Sequence, residues 1–215
     1  MTFPIAIRSP HLLNMHDETG VCSLGADQAW YPTRWQRQAG CGPTNCAQIL
    51  WYLAQTRPSL KALAPYGCSQ KSQMLSFMED IWAFVTPGPM GVNRLSTFTS
   101  GALAYAQSRG LTLAPHTLDI PTRPTFRPDV RTMVAFIAQA ISADLPVAFL
   151  NLSNGALHNL DNWHWVTLTA IDPAAGYAQM IDQGGKDSLD LPLWLRTTRI
   201  GGGFAVLAPQ PALTD

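Results

Sequence analysis

The chain has 215 residues, 14 basic against 14 acidic side chains, a formal net charge of zero and 13% charged residues. No basic stripe points to nucleic acid or an anionic membrane surface, and no run of about 18 apolar residues reads as a membrane span. A 47% hydrophobic content supplies ample core for one large domain, so a single domain over 1–215 is the simplest organisation.

The first 28 residues carry no clear pattern, and no basic segment followed by a long apolar core opens the chain. A cytoplasmic location is expected on that ground, with export after removal of a signal left open. The first chemical signal is the turn Gly40-Cys-Gly-Pro43. It runs into Cys46, Ile49, Leu50, Leu53 and Ala54, spaced i, i+3, i+4, i+7, i+8, which predicts a helix with one buried face starting just after Pro43. Proline suits a first helical turn because its missing N–H would have no partner there. Cys41 therefore falls at the helix N-terminus, where unpaired N–H groups and the positive end of the macrodipole favour a thiolate. A free cysteine is more often a small buried hydrophobe, but such a residue needs no Gly-Cys-Gly-Pro turn; Cys46, on the apolar stripe, fits that plainer role.

Helical spacing returns at Met74, Phe77, Met78, Ile81, Trp82 and Val85, and again at Val130, Met133, Val134, Ile137, Ala138 and Ile141. A further helix is predicted over 96–109, with Gly110 as its stop. Two proline-rich stretches, 86–93 and 120–128, are plain connections or line a substrate cleft. Residues 146–152 read as a buried strand. Then Trp163 to Ile171, rich in β-branched and aromatic residues, the turn Asp172-Pro-Ala-Ala-Gly176 and the run Tyr177 to Asp182 predict a β-hairpin with His164 at its open end. If Ile171 pairs with Tyr177, Asp182 is the diagonal neighbour of His164. If Ala170 pairs with Gly176, the two face each other. Both registers put imidazole and carboxylate on one side of the sheet, and a bulge in the turn would break that parity. A short apolar segment around Trp194 and a last strand over 203–208 follow, and residues 209–215 read as a frayed end. Helices first and an antiparallel sheet last is the α+β ordering, with a cleft between two packed halves that brings Cys41 against His164.

With Cys41, His164 and Asp182 in that order, the chain resembles the papain-like cysteine peptidases, and within them the C39-type group with its Cys-Gly-Pro nucleophile turn. The resemblance covers roughly 30–56 and 145–208. It implies a papain-like core in which an N-terminal nucleophile helix and helical half pack on a C-terminal antiparallel sheet. It further implies Cys41 as nucleophile, His164 as general base and Asp182 as the residue that orients the imidazole. The family also places a glutamine shortly before the nucleophile, whose amide helps form the oxyanion hole; Gln36 and Gln38 are the candidates. For Asp182 the plainer role is to cap the turn at Gly184-Gly185, leaving an asparagine such as Asn162, or solvent, to serve the histidine.

Four cysteines (22, 41, 46, 68) are an even number, but a chain of this length does not depend on disulfides, so free thiols are expected. The histidines at 11, 16, 116, 158 and 164 show no metal-ligand spacing, so no metal and no cofactor are expected. The resulting expectation is a thiol hydrolase acting on a peptide or amide bond of a peptide or protein substrate. An acyl transferase or deamidase with the same triad, or a non-catalytic peptide-binding module, are the alternatives; the oligomeric state stays open.

Overall fold

The computed structural model describes residues 3–65 and 70–210. Cys68 and the chain end from 211 lie outside the described residues. The patternless opening forms strand β1 (Ile5–Ala6) and a ribbon of β2 (Asn14–His16) and β3 (Cys22–Leu24). Helix α1 (Arg34–Ala39) follows, built by its cap rather than by apolar spacing. Thr33 Oγ accepts the Gln36 N–H, and Gln36 Oε1 accepts the Thr33 N–H, a reciprocal capping box.

Helix α2 (Cys41–Thr56) begins within the Gly40-Cys-Gly-Pro43 turn itself, with Pro43 inside its first turn. It differs from expectation in having no solvent face, since every residue from Cys41 to Ala54 is buried. One side packs on α3 (Lys71–Trp82), the other on the sheet. Thr44, Asn45 and Gln48, which mark a polar face in the sequence, sit under the sheet instead. Gln48 Oε1 accepts the Ala26 N–H at 2.9 Å, and Asn45 Nδ2 donates to Thr167 Oγ at 2.8 Å, the pairing that makes such burial affordable. Helix α4 (Leu95–Ser108) ends as its sequence predicts, with Gly110 at φ 72°. Strand β4 (Leu113–Ile120), interrupted by Pro115, carries no strand signal; proline tolerates this position because β4 is an edge strand.

After α5 (Val130–Ser142), capped by the Asp129 carboxylate on the Thr132 N–H, come β5 (Val147–Asn151), β6 (His164–Asp172), β7 (Tyr177–Asp182) and β8 (Gly185–Asp190). Helix α6 (Leu191–Thr197), centred on Trp194, and β9 (Gly202–Pro209) complete the chain. The antiparallel sheet runs β4-β9-β5-β6-β7-β8, with β1 beside the far end of β6. Leu150 and Trp165 face the same side, where Trp165 stacks on Phe98 of α4 at 4.4 Å; Phe149 faces the other, against Trp194 of α6 at 4.7 Å. The architecture is α+β, with helices on both faces of the sheet rather than on one. That is why β5 and nearly all of β6 are buried on both faces. Among the described residues, no helix is long and apolar enough to cross a membrane.

The β6–β7 hairpin closes with Asp172 opposite Tyr177, a loop one residue shorter than either expected register. Continued unchanged, this pairing would set Asp182 opposite Thr167, on the face away from His164. A bulge between Leu168 and Ala170 shifts the ladder by one, so that Leu168 faces Met180 and Thr167 faces Ile181. The next step sets Asp182 opposite Val166, diagonal to His164. Here a bulge restores the shared face instead of breaking it.

Cys46 is fully buried in α2, and burial pushes its thiol pKa well up, so it is an inert part of the core. Cys46→Ala removes one buried heavy atom and should lower stability by about 1 kcal/mol in denaturant titration. It should leave the reactivity of Cys41 toward iodoacetamide unchanged; loss of that reactivity in a folded Cys46→Ala protein would mean the wrong thiol has been singled out.

Candidate active site

Cys41 is 7% exposed at the first position of α2, with Sγ 3.9 Å from the Trp163 carbonyl oxygen. The next residue, Gly42, has no room for a side chain, because an added Cβ would lie 2.8 Å from Val92. Val92 belongs to the first proline-rich stretch and is itself fixed by the Trp165 indole, which donates to its carbonyl at 2.6 Å. The helix end is thus clamped between a loop and β6.

His164 is the first residue of β6 and 6% exposed. Trp163 before it is 41% exposed and adopts φ 57°, a left-handed conformation that bulky side chains rarely take. Such strain persists only where the surroundings hold it, and here it sits between the histidine and the carbonyl that faces Cys41. Across the ladder, His164 pairs with Asn151, whose side chain donates to the Asp161 carbonyl at 2.6 Å and accepts from the Trp194 indole at 2.8 Å, anchoring the 152–163 loop.

Asp182 ends β7, and Oδ1 lies 2.7 Å from His164 Nε2. The turn after it places Gln183 at φ 47° and Gly184 at φ 76°, with Asp182 paired to Gly185, the two-residue type I′ geometry that matches strand twist. Asp182 both leads into the turn and contacts the imidazole. Asn162 is engaged elsewhere, its Oδ1 accepting the Asn154 N–H at 2.7 Å. With Nε2 on the carboxylate, the other ring nitrogen is the one left for Cys41. Burial pulls the His164 pKa down, but the hydrogen bond to Asp182 and the proximity of Cys41 more than offset this and push it up from 6.5 to about 10.

Gln36 and Gln38 lie apart from this cluster. The Gln36 amide oxygen is held by the Thr33 hydroxyl at 2.8 Å, and Gln38 is exposed on α1. Three glutamines line the small cavity shared by Cys41, His164 and Asp182, namely Gln48, Gln183 and Gln28, the last held in a single turn by the Asp27 cap. Gln28 sits 13 residues before Cys41 in a segment without periodicity, and no sequence signal marks it. The two proline-rich stretches also meet. Asn93 from one and Ile120, Pro121 and Thr122 from the other line a groove of about 620 Å³ with Leu150 of β5, the partner of Trp165. Cys22 and Cys46 are free, as is Cys41. Among the described residues, no group of three or more His, Cys, Asp or Glu side chains is arranged to hold a metal ion.

No family model matches the sequence, and no curated protein does. Among solved structures, the Pseudomonas avirulence protein AvrPphB is similar at a TM-score of 0.37 and 10% identity, over 80% of this chain and 92% of that one. A likeness that distant carries no functional argument, so the reading of this site rests on its own geometry.

The raised His164 pKa is directly measurable. The fold favours the imidazolium, so its contribution to stability is fully present below 6.5 and is lost as pH rises through about 10. An NMR titration of the His164 ring should find its midpoint well above 6.5, and Asp182→Asn should move it down. A midpoint unchanged by that substitution would leave Asp182 as a turn residue only.

Proposed function

We propose that this protein is a thiol hydrolase of the papain-like, C39-type kind, cleaving a peptide or amide bond of a peptide or protein substrate. The observation that supports this best is the alignment of Cys41, at a helix N-terminus, with a buried histidine whose far nitrogen lies 2.7 Å from Asp182. Nucleophile, base and orienting group stand in the order that acyl transfer needs.

In this reading the Cys41 thiolate attacks the carbonyl carbon, forming a C–S bond as the carbonyl π electrons move to oxygen. The N-terminal end of α2 and a glutamine amide stabilise that oxyanion. Gln36 and Gln38 are the sequence candidates for the amide; Gln28 lines the cavity beside Cys41, but its Nε2 is engaged by the Arg37 carbonyl. The His164 imidazolium protonates the leaving amine, the C–N bond breaks, and an acyl-thioester remains on Cys41. His164 then takes a proton from water, which attacks the thioester and returns the thiolate. Asp182 holds the ring tautomer and the imidazolium throughout. The sequence of steps uses no cofactor.

The same acyl-thioester would serve a transferase or a deamidase, so the products decide among them. Digestion of a peptide library with mass-spectrometric readout should yield cleaved peptides. Cys41→Ala should abolish turnover, and Asp182→Asn should slow it about 10²–10⁴-fold without removing it. A mass increase of peptides with added amines would make the protein a transferase, and conversion of primary amides to acids a deamidase. Turnover that survives Cys41→Ala would contradict the assignment outright.

A further inference from the structure

Three buried side-chain atoms beneath the nucleophile make no hydrogen bond within the protein: Gln28 Oε1, Asn45 Oδ1 and Thr44 Oγ. Their residues line one cavity of about 20 Å³ beside Cys41 and His164. Asn45 and Thr44 are 4% and 7% exposed. Buried polar atoms are almost always satisfied, so three orphans around a single cavity call for an occupant.

Volume and chemistry select that occupant. Roughly 10–15 Å³ of such space holds one water, and the cavity has little more. Carbonyl oxygens only accept, so the occupant must offer protons in two directions, which rules out an anion. A hard metal ion takes about six oxygens or more, twice what is present. The orientation of Gln28 is forced, because its Nε2 donates at 2.9 Å to the Arg37 carbonyl, which can only accept. Asn45 Nδ2 meets Thr167 Oγ, which can donate or accept; turning the amide over would present an N–H to the cavity, and water accepts as readily as it gives. Thr44 also lies beside the Tyr31 hydroxyl, so the two amide groups carry the argument.

We propose that this cavity binds one ordered water, which donates to Gln28 Oε1 and Asn45 Oδ1 and accepts from Thr44 Oγ. The water completes a chain from the Arg37 carbonyl through Gln28 and Asn45 to Thr167, and so links α1 and α2 to β6 immediately behind the Cys41–His164 pair. The assignment follows from polar satisfaction and does not depend on the thiol-hydrolase reading.

A crystal structure of the wild-type chain that resolves ordered solvent tests it. One solvent peak is expected within about 2.7–3.2 Å of both Gln28 Oε1 and Asn45 Oδ1. A dry cavity, or Gln28 and Asn45 bonded directly to each other, would overturn the proposal. Gln28→Leu, in a half-buried turn outside the main helices, should lose the peak while Asn45 keeps its bond to Thr167. A peak retained at full occupancy in that variant would remove Gln28 as a ligand and overturn the site as assigned. The wild-type result stands alone if the variant does not fold.

Discussion

The hydrogen bond between Asn45 and Thr167 sets the position of helix against strand on which the site depends. Asn45 is one helical turn from Cys41, and Thr167 is three residues along the strand from His164. Four helical residues rise about 6 Å and three strand residues span about 10 Å, so pinning these two points holds the start of α2 and the start of β6 at one end of the central strands. The bond is buried, and breaking it would leave both side chains short of a partner. A slip of the helix along the strand is therefore costly. The Val92 contact on Gly42 and the Trp165 indole bond to Val92 close the same junction from the other side.

Within that frame the electrostatics favour a charged histidine in a buried place. Desolvation alone would neutralise His164, and the Asp182 carboxylate reverses the balance because it is close, well aligned and only partly shielded from water, at 22% side-chain exposure. The imidazole, 8% exposed, feels the field of that carboxylate with little screening. The pairing exists only because the β6 bulge turns Asp182 to the histidine's face. A backbone irregularity at Thr169 thus has a direct electrostatic consequence some distance along the ladder.

The grouping of Cys41, His164 and Asp182 at one place was legible because each stands at a strong local signal. Cys41 follows a Gly-Cys-Gly-Pro turn before an apolar stripe, and His164 and Asp182 bracket a hairpin with a clear loop. Helices α3, α4 and α5 and strands β5, β6, β7 and β9 were readable for the same reason. Others were not: β1, β2 and β3 are only two or three residues long, α1 and α6 are too short for apolar periodicity, β8 is a polar edge strand, and β4 carries Pro115. The capping pattern Thr33-x-x-Gln36 was available as a signal for α1, and it also explains what holds the Gln36 amide. The burial of Asn45 and Gln48 in α2 was not legible because their partners, Thr167 and Ala26, come from distant segments. Gln28 was hidden for a like reason, since only the folded path of the chain brings it beside Cys41.

The central claim is that Cys41 reacts because His164 stands against it. The most direct measurement is the rate of iodoacetamide labelling at each cysteine near pH 6, where an ordinary thiol is almost wholly protonated and slow. Buried Cys41 should be labelled ahead of exposed Cys22 in the wild type, and His164→Ala should abolish that preference. Cys22 reacting first, or a Cys41 preference that survives the loss of His164, would contradict the account.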